Sequence, residues 1–192
     1  YESQAQAMIA DGVLEQAMRE KRFERALDEA CETSYVMAEG FVRERWDTAA
    51  GDPYGVDPNT GKQVMEGDIV CDVLTPFDVA KDPRRKYGSW QWCIARDFRN
   101  KYDLAVRYPE YGSKLSKLSG EEEWEHTILG EPDEDETADV PVYELYHAPS
   151  EAMPEGRLVI CASAECVLFD GPLPYDRIPV LRVSPSDVIG TS

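Results

Sequence analysis

A chain of 192 residues is long enough to bury a hydrophobic core without disulfides or a structural metal. With 42% hydrophobic and 30% charged residues it is ordinary for a globular protein, and its longest apolar run, 158–162, is far too short to cross a bilayer. The net charge of −18 repels phosphate backbones and argues against a tight DNA-binding module. No secretory signal is present, and Tyr1 and Ser192 are expected to be cut ends of a longer chain.

The five cysteines are odd in number and form no C-x-x-C pair, which favours reduced thiols over disulfides. Cys161 and Cys166 are close in sequence but have no pair of histidines nearby. A zinc site needs four converging nitrogen or sulfur ligands, so none is predicted here.

The first segment, 3–39, is predicted to be helical. Apolar residues recur in it near the helical spacing of 3.6, with charged residues between them: Leu14, Met18, Leu27, Cys31 and Tyr35. Gly12 is the predicted break between two helices, and Gly40 is the predicted C-terminal cap.

Two strands are predicted next, over 41–47 and 67–74, because charged and apolar residues alternate there. Between them the run D-P-N-T-G at 57–61 predicts a turn, since proline fixes one backbone angle while asparagine and glycine tolerate positive φ. Together the two strands predict a hairpin with a long loop.

A tryptophan-rich strand is predicted over 89–98, with three residues on one face: Trp90, Trp92 and Ile94. Asn100 is the predicted N-cap of a helix that Pro109 ends, and 113–118 is predicted to add another helical turn. The segment 121–139 contains ten acids and no Lys or Arg, which indicates a loop, mobile by itself and ordered only against a partner.

The last third is predicted to be β structure, with 149–156 as a turn and 164–165 as a tight link. The predicted strands are 140–147, 157–163, 166–170 and 178–183. Pro179 places the last of these at a sheet edge, because proline has no N–H to donate to a ladder. The fold class is therefore α+β, with N-terminal helices packed on antiparallel sheets.

Four segments divide the chain, and they are expected to form one domain. They are 1–39 (helical), 40–120 (hairpin, tryptophan strand and short helices), 121–139 (acidic loop) and 140–192 (antiparallel β structure).

No catalytic signature occurs: the sequence has no phosphate-binding glycine loop, no G-x-S-x-G and no H-E-x-x-H. The two histidines, His126 and His147, stand in no motif, so structural roles are favoured for both. No catalytic, cofactor-binding or metal-binding residues are predicted, and no cofactor is expected.

Three groups of charged residues leave alternatives open. Calcium ligation is one interpretation of Asp52, Asp57 and Asn59, but their spacing departs from the EF-hand pattern and a turn explains them better. Paired acids such as Asp78 and Asp82 can hold magnesium, although Asp82-Pro83 also starts a turn.

The third group is the only dense basic cluster of the sequence, Arg84, Arg85 and Lys86. These residues could contact a phosphate or a neighbouring subunit's acids. The contact with a neighbouring subunit's acids is favoured.

The order of motifs along the chain resembles that of portal (head-to-tail connector) proteins of tailed bacteriophages, especially short-tailed ones. The motifs are EGFV (39–42), RWD (45–47), GD (51–52), GDI (67–69), VLTPFDV (73–79), DP (82–83), WQWCI (90–94), RYPE (107–110), VYELYH (142–147), LFDG (168–171) and PYDRIPV (174–180). Each motif is short, so the shared order over nearly the whole chain carries the resemblance.

The resemblance implies the α+β wing region of a structural virion protein that is not an enzyme. Members of that family form a ring of about twelve subunits at one capsid vertex. The ring passes DNA without sequence-specific binding during genome packaging and ejection, and it joins head to tail. The implied partners are further copies of the chain, the terminase, and the capsid and tail or adaptor proteins. The implied location is the virion, after assembly in the host cytoplasm, with no membrane.

Two other functions compete with this interpretation. One is a different virion adaptor or binding module, and the other is a metal-dependent hydrolase that uses Asp78, Asp82 and a histidine.

Overall fold

The computed structural model describes residues 2–58, 61, 63–86, 88, 90–118 and 138–185. Across these residues the chain is an α+β protein with antiparallel sheets, which confirms the predicted fold class. It divides into two compact units. Unit 1 contains the described residues of 1–76 and 179–192, and unit 2 contains those of 77–178.

The helices of the described residues are α1 (Glu2–Glu20), α2 (Phe23–Met37), α3 (Lys101–Arg107) and α4 (Gly112–Leu115), with a 3-10 helix at Pro109–Tyr111. Their strands are β1 (Gly40–Asp47), β2 (Pro53–Val56), β3 (Gln63–Met65), β4 (Asp68–Leu74), β5 (Val79–Lys81), β6 (Trp92–Asn100), β7 (Asp139–His147), β8 (Arg157–Ser163), β9 (Cys166–Gly171) and β10 (Val180–Val183).

The N-terminal helical segment is confirmed, but the predicted positions of its break and its cap are wrong. The break falls at Arg22, which adopts a left-handed φ of 52°, and Gly12 lies inside α1. Ala38, with a φ of 68°, takes the left-handed position after α2, whereas Gly40 begins β1. Glycine is the easiest residue to place at such positions, but other residues adopt them where the surrounding packing demands it.

The sheet of unit 1 has the strand order β10, β1, β4. The predicted hairpin is confirmed, because residues 41–47 of β1 pair with the whole of β4. β10 pairs with the other side of β1, with Gly40 opposite Val183, and therefore lies at the edge that Pro179 predicts. β1 is thus the central strand, held by neighbours that come from distant parts of the chain.

Helix α2 packs on this sheet through small residues. Ala26 and Ala30 are buried against Val42, and the partly buried side chains around them complete the core: Phe23, Leu27, Cys71, Val73, Leu181 and Val183. Gly40 is needed for this approach, since a β-carbon at Gly40 would stand 2.2 Å from the carbonyl oxygen of Ala30.

A second hairpin occupies the predicted long loop between β1 and β4. Its strands β2 and β3 form a separate two-stranded sheet, with a register shift between Pro53 and Gly55. The predicted turn lies at its tip, where the N–H of Gly61 donates to the carbonyl oxygen of Asp57 at 2.8 Å. We call the described residues of 52–66 the arm.

Unit 2 is built on a five-stranded antiparallel sheet in the order β5, β6, β7, β8, β9, so neighbours in sequence are neighbours in the sheet. The predicted strands of this region are confirmed, as is the tight link at 164–165. In β6 the fully buried residues are Cys93 and Ala95, whereas Trp92 and Ile94 on the other face are half-buried. Trp90 is buried but precedes the strand.

The short helices of unit 2 cover one face of its sheet. The side chain of Asn100 accepts a hydrogen bond from the N–H of Tyr102 at 2.9 Å, which confirms the predicted N-cap of α3. Leu104 and Leu115 bring α3 and α4 onto a buried cluster of sheet residues: Val140, Val142, Ala162, Cys166 and Leu168.

Most of the acidic segment 121–139 lies outside the described residues, and the prediction that it is a loop stays a prediction. Of its acids, Asp139 is described: it begins β7 and pairs with Asn100 of β6.

Replacing Gly40 by alanine should destabilise unit 1, because the added methyl group collides with the backbone of α2. We expect the free energy of unfolding to fall by about 2 kcal/mol in chemical denaturation. Gly12→Ala is the matched control, since no atom lies within 4 Å of its β-carbon position. That control should raise helix stability by up to about 1 kcal/mol, and equal effects of the two substitutions would contradict the assigned role of Gly40.

Candidate functional site

The basic residues Arg84, Arg85 and Lys86 lie exposed in the turn between β5 and β6. The buried carboxylate of Asp82 organises this turn. Its Oδ1 accepts a hydrogen bond from the N–H of Arg84 at 3.0 Å, and Nε of Arg85 lies 3.7 Å from its Oδ2. We call Arg84, Arg85 and Lys86 the cationic turn, because they present three positive charges to solvent from a hydrogen-bonded base.

Asp78 and Asp82, the pair considered for hydrolysis, are held by different groups. Oδ1 of Asp78 accepts a hydrogen bond from Nη2 of Arg96 at 3.0 Å, and its backbone carbonyl accepts from the N–H of Arg96 at 2.7 Å. Oδ2 of Asp82 accepts from the N–H of Gln91 at 3.4 Å, in addition to its contacts within the cationic turn. Both carboxylates therefore hold the local chain together.

The residues considered as metal ligands serve mainly as turn residues. The carbonyl oxygen of Asp52 accepts from the N–H of Glu66 at 3.0 Å at the base of the arm, and Asp57 closes its tip. Asn59 and His126 lie outside the described residues, and Nδ1 of His147 lies 2.7 Å from the carbonyl oxygen of Ala148. Among the described residues no group of three or more His, Cys, Asp or Glu side chains is arranged to hold a metal ion.

The environment of three cysteines disfavours their thiolate forms. Burial raises the pKa of Cys93 to about 12. Burial also raises the pKa values of Cys161 and Cys166, which lie on the neighbouring strands β8 and β9. Since the thiolate is the reactive form, these three residues are poor candidates for nucleophiles at neutral pH.

Sequence reasoning missed a buried ionic network in the sheet of unit 1. Arg43 of β1 has no exposed surface and stands directly opposite Asp72 of β4. Nη2 of Arg43 donates to Oδ2 of Asp72 at 2.7 Å, and Nε of Arg45 donates to the same oxygen at 2.9 Å. Nη1 of Arg45 also lies 3.0 Å from Oδ2 of Asp47. The sequence does contain the charges, in the alternating run R-E-R-W-D at 43–47 and in Asp72. Their pairing can be recognised only when the register between β1 and β4 is known.

Burial alone would raise the pKa of Asp72, but the positive charges of Arg43 and Arg45 outweigh it and lower that pKa below its ordinary value. The carboxylate therefore stays ionised and compensates the buried guanidinium of Arg43.

A second buried acid lies in unit 2. Glu144 of β7 is almost fully buried, and its Oε1 accepts from Nη2 of Arg99 at 2.6 Å. Its Oε2 accepts from the hydroxyl of the buried Tyr146, and Arg99 also donates to Asp97 at 3.1 Å. The side chains of Arg99, Asp97 and Glu144 are all at least two-thirds buried, and each takes part in an ion pair within the cluster. The cluster therefore holds β6 to β7 and offers no open site.

The surface of the described residues carries several large apolar side chains. On α1 four of them are exposed: Met8, Ile9, Val13 and Leu14. On α2 Tyr35 and Val36 are exposed, so Leu14 and Tyr35, which fit the helical spacing, do not face the core. The arm exposes Tyr54 and Val56 as well. Exposed apolar clusters of this kind are typical of interaction surfaces.

No protein-family model matches the chain, and the search of curated proteins found no similar protein. Within the described residues, no helix is both long and apolar enough to cross a membrane.

Asp72→Asn should destabilise the protein by about 3 kcal/mol at neutral pH, since it leaves the buried charge of Arg43 uncompensated. The control is Asp170→Asn, which breaks an exposed ion pair with Arg157 and should cost much less than Asp72→Asn, because solvent screens an exposed pair. Chemical denaturation of the three proteins measures both values.

The same variants test the lowered pKa of Asp72. A carboxylate with a lower pKa in the folded state contributes its full stability above its unfolded pKa of about 4, and loses it as the pH falls through the folded value. The difference in stability between wild type and Asp72→Asn should therefore narrow below about pH 4. A difference that stays constant down to pH 2 would contradict this account.

Proposed function

We propose that this chain is the wing-type region of a tailed-bacteriophage portal protein, a structural subunit and not an enzyme. The observation that carries the proposal is the order of the sequence motifs, from EGFV at 39–42 to PYDRIPV at 174–180. In this role the chain is part of a ring at one capsid vertex that passes DNA and joins head to tail.

The fold supports the proposal at the level of architecture. The motif-bearing segments form connected elements of one α+β chain: RWD ends β1, VLTPFDV runs from β4 to β5, and WQWCI enters β6. The α+β class of the described residues is also the class that the resemblance implies.

The exposed apolar side chains support the proposal that the protein assembles with other subunits. Val36 is 82% exposed and Ile9 is 67% exposed, and such residues are costly to leave in water unless another surface covers them. A subunit of a closed ring has two such surfaces to cover, one for each neighbour.

The charge of the chain is compatible with a passage for DNA. A net charge of −18 repels the phosphate backbone, which argues against tight binding but not against a ring through which DNA slides. The acids suggested for chemistry, Asp78 and Asp82, are engaged in local structure, which agrees with a structural subunit.

The full-length gene product should form rings with a central channel in negative-stain electron microscopy. Mass photometry of the same sample should give a single assembly of about twelve subunits. A protein that remains monomeric at high concentration would contradict the proposal.

The exposed arm would also suit an adaptor or another virion binding module, and the number of copies per particle separates the two classes. A portal occupies one vertex and should give about twelve copies per virion in quantitative mass spectrometry. Hundreds of copies would identify a capsid or decoration protein, and absence from mature particles would contradict both virion roles.

A further inference from the structure

The arm carries apolar side chains on both of its strands. Tyr54 is 77% exposed, Val56 is 65% exposed, and Val64 on the partner strand is 41% exposed. Trp46 stands at the base of the arm, where a β-carbon on Gly67 would lie 2.6 Å from its indole ring, and it is 54% exposed. Exposed tyrosine and tryptophan beside aliphatic residues are typical of the energetic centre of a protein interface.

The arm is too short to be stable by itself. β2 has four residues, all exposed, and β3 has three. The two strands pack chiefly on each other, and isolated two-stranded hairpins are at best marginally stable in water. Among the described residues its base is held by the hydrogen bond that the N–H of Glu66 donates to the carbonyl oxygen of Asp52, and by Gly51 and Gly67, which have positive φ and approach each other closely. A surface that covers the arm would therefore stabilise it.

Charge indicates which surface that is. The arm carries exposed acids at its base, Asp52 and Glu66, and a third acid, Asp57, at the start of its tip. Against these three acids the sequence 52–66 has one basic residue, Lys62, so the segment is acidic overall. A basic surface complements that charge, and the cationic turn is the one dense basic cluster in a chain with a net charge of −18. The ring of Tyr54 can add a cation–π contact with an arginine of that turn.

We propose that the arm of one subunit docks on the cationic turn of a second copy of this chain. The inference rests on the proposed function and names the contact between neighbouring subunits of the ring. Because the arm and the turn are different surfaces, the contact is heterologous. Such contacts repeat from copy to copy and close into a ring when the rotation permits.

Two charge-reversed variants of the full-length protein test this contact. The turn variant is Arg84→Glu with Lys86→Glu, which keeps the ion pair of Arg85 with Asp82. The arm variant is Asp52→Lys with Glu66→Lys. Each variant alone sets like charges against each other, so self-association should weaken at least about tenfold in sedimentation velocity.

An equimolar mixture of the two variants should recover association. The acidic arm of the turn variant can then dock on the basic turn of the arm variant, and the reversed arm on the reversed turn. A control variant, Arg25→Glu with Lys117→Glu, makes the same change in charge as the turn variant at exposed residues that belong neither to the arm nor to the turn. This control should associate like the wild type at matched salt.

Photo-crosslinking provides a second readout that does not depend on charge. An unlabelled variant with p-benzoylphenylalanine at position 54 is mixed with an equimolar amount of nitrogen-15-labelled wild type. Crosslinks from position 54 of the unlabelled chain to the labelled chain should map to residues 81–92 of the labelled chain. Crosslinks from position 54 to α1 or α2 of the other copy would overturn the proposed contact.

The outcomes distinguish this contact from the proposed function. Rings that form equally well in the turn variant, or a mixture that associates no better than either variant alone, overturn the contact and leave the portal proposal intact. A wild-type protein that forms no ring overturns the proposed function and the contact together.

Discussion

The buried guanidinium of Arg43 is the constraint on which unit 1 depends. A charge with no exposed surface is tolerated only when an opposite charge and hydrogen bonds compensate it, and Asp72 on the paired strand provides both. The pair also determines the register, because a slip of one residue between β1 and β4 would move the carboxylate to the other face. With β1 placed in this way, its second edge receives β10 and its inner face receives α2.

Charged residues perform two different tasks in this chain. Most of its arginines that pair inside sheets, such as Arg43, Arg96 and Arg99, meet an acid across or beside a strand and hold the backbone together. The cationic turn instead presents its charges to solvent, although Asp82 beneath it is buried. Buried pairs specify the fold, whereas exposed ones remain available to another molecule, and this difference underlies both functional proposals.

Local patterns predicted the elements well, and contacts between elements explain where prediction failed. Asn100 was identifiable as an N-cap because its side chain acts on a neighbour two residues away. Gly40 was mistaken for a cap, since its actual role is a close approach to Ala30, which no local pattern reveals. The sequence predicts a loop for the strands of the arm, because these segments have little apolar alternation; in the structure they bury almost nothing. The cationic turn is recognisable in the sequence as a dense basic cluster, whereas the arm has no such signal, so its value as a surface became visible only through the exposure of its side chains.

By itself, the sequence determined the α+β class, the helical start, most strands, the excess of negative charge and the motif order from which the portal proposal comes. These are properties of composition and of short-range periodicity, which act within a few residues. Only the tertiary structure decided that Arg43 is buried opposite Asp72, that Val180–Val183 join the N-terminal sheet, and that Tyr54 and Leu14 are exposed. Those outcomes depend on which distant segments pair, and pairing is a property of the whole chain that no window of the sequence contains.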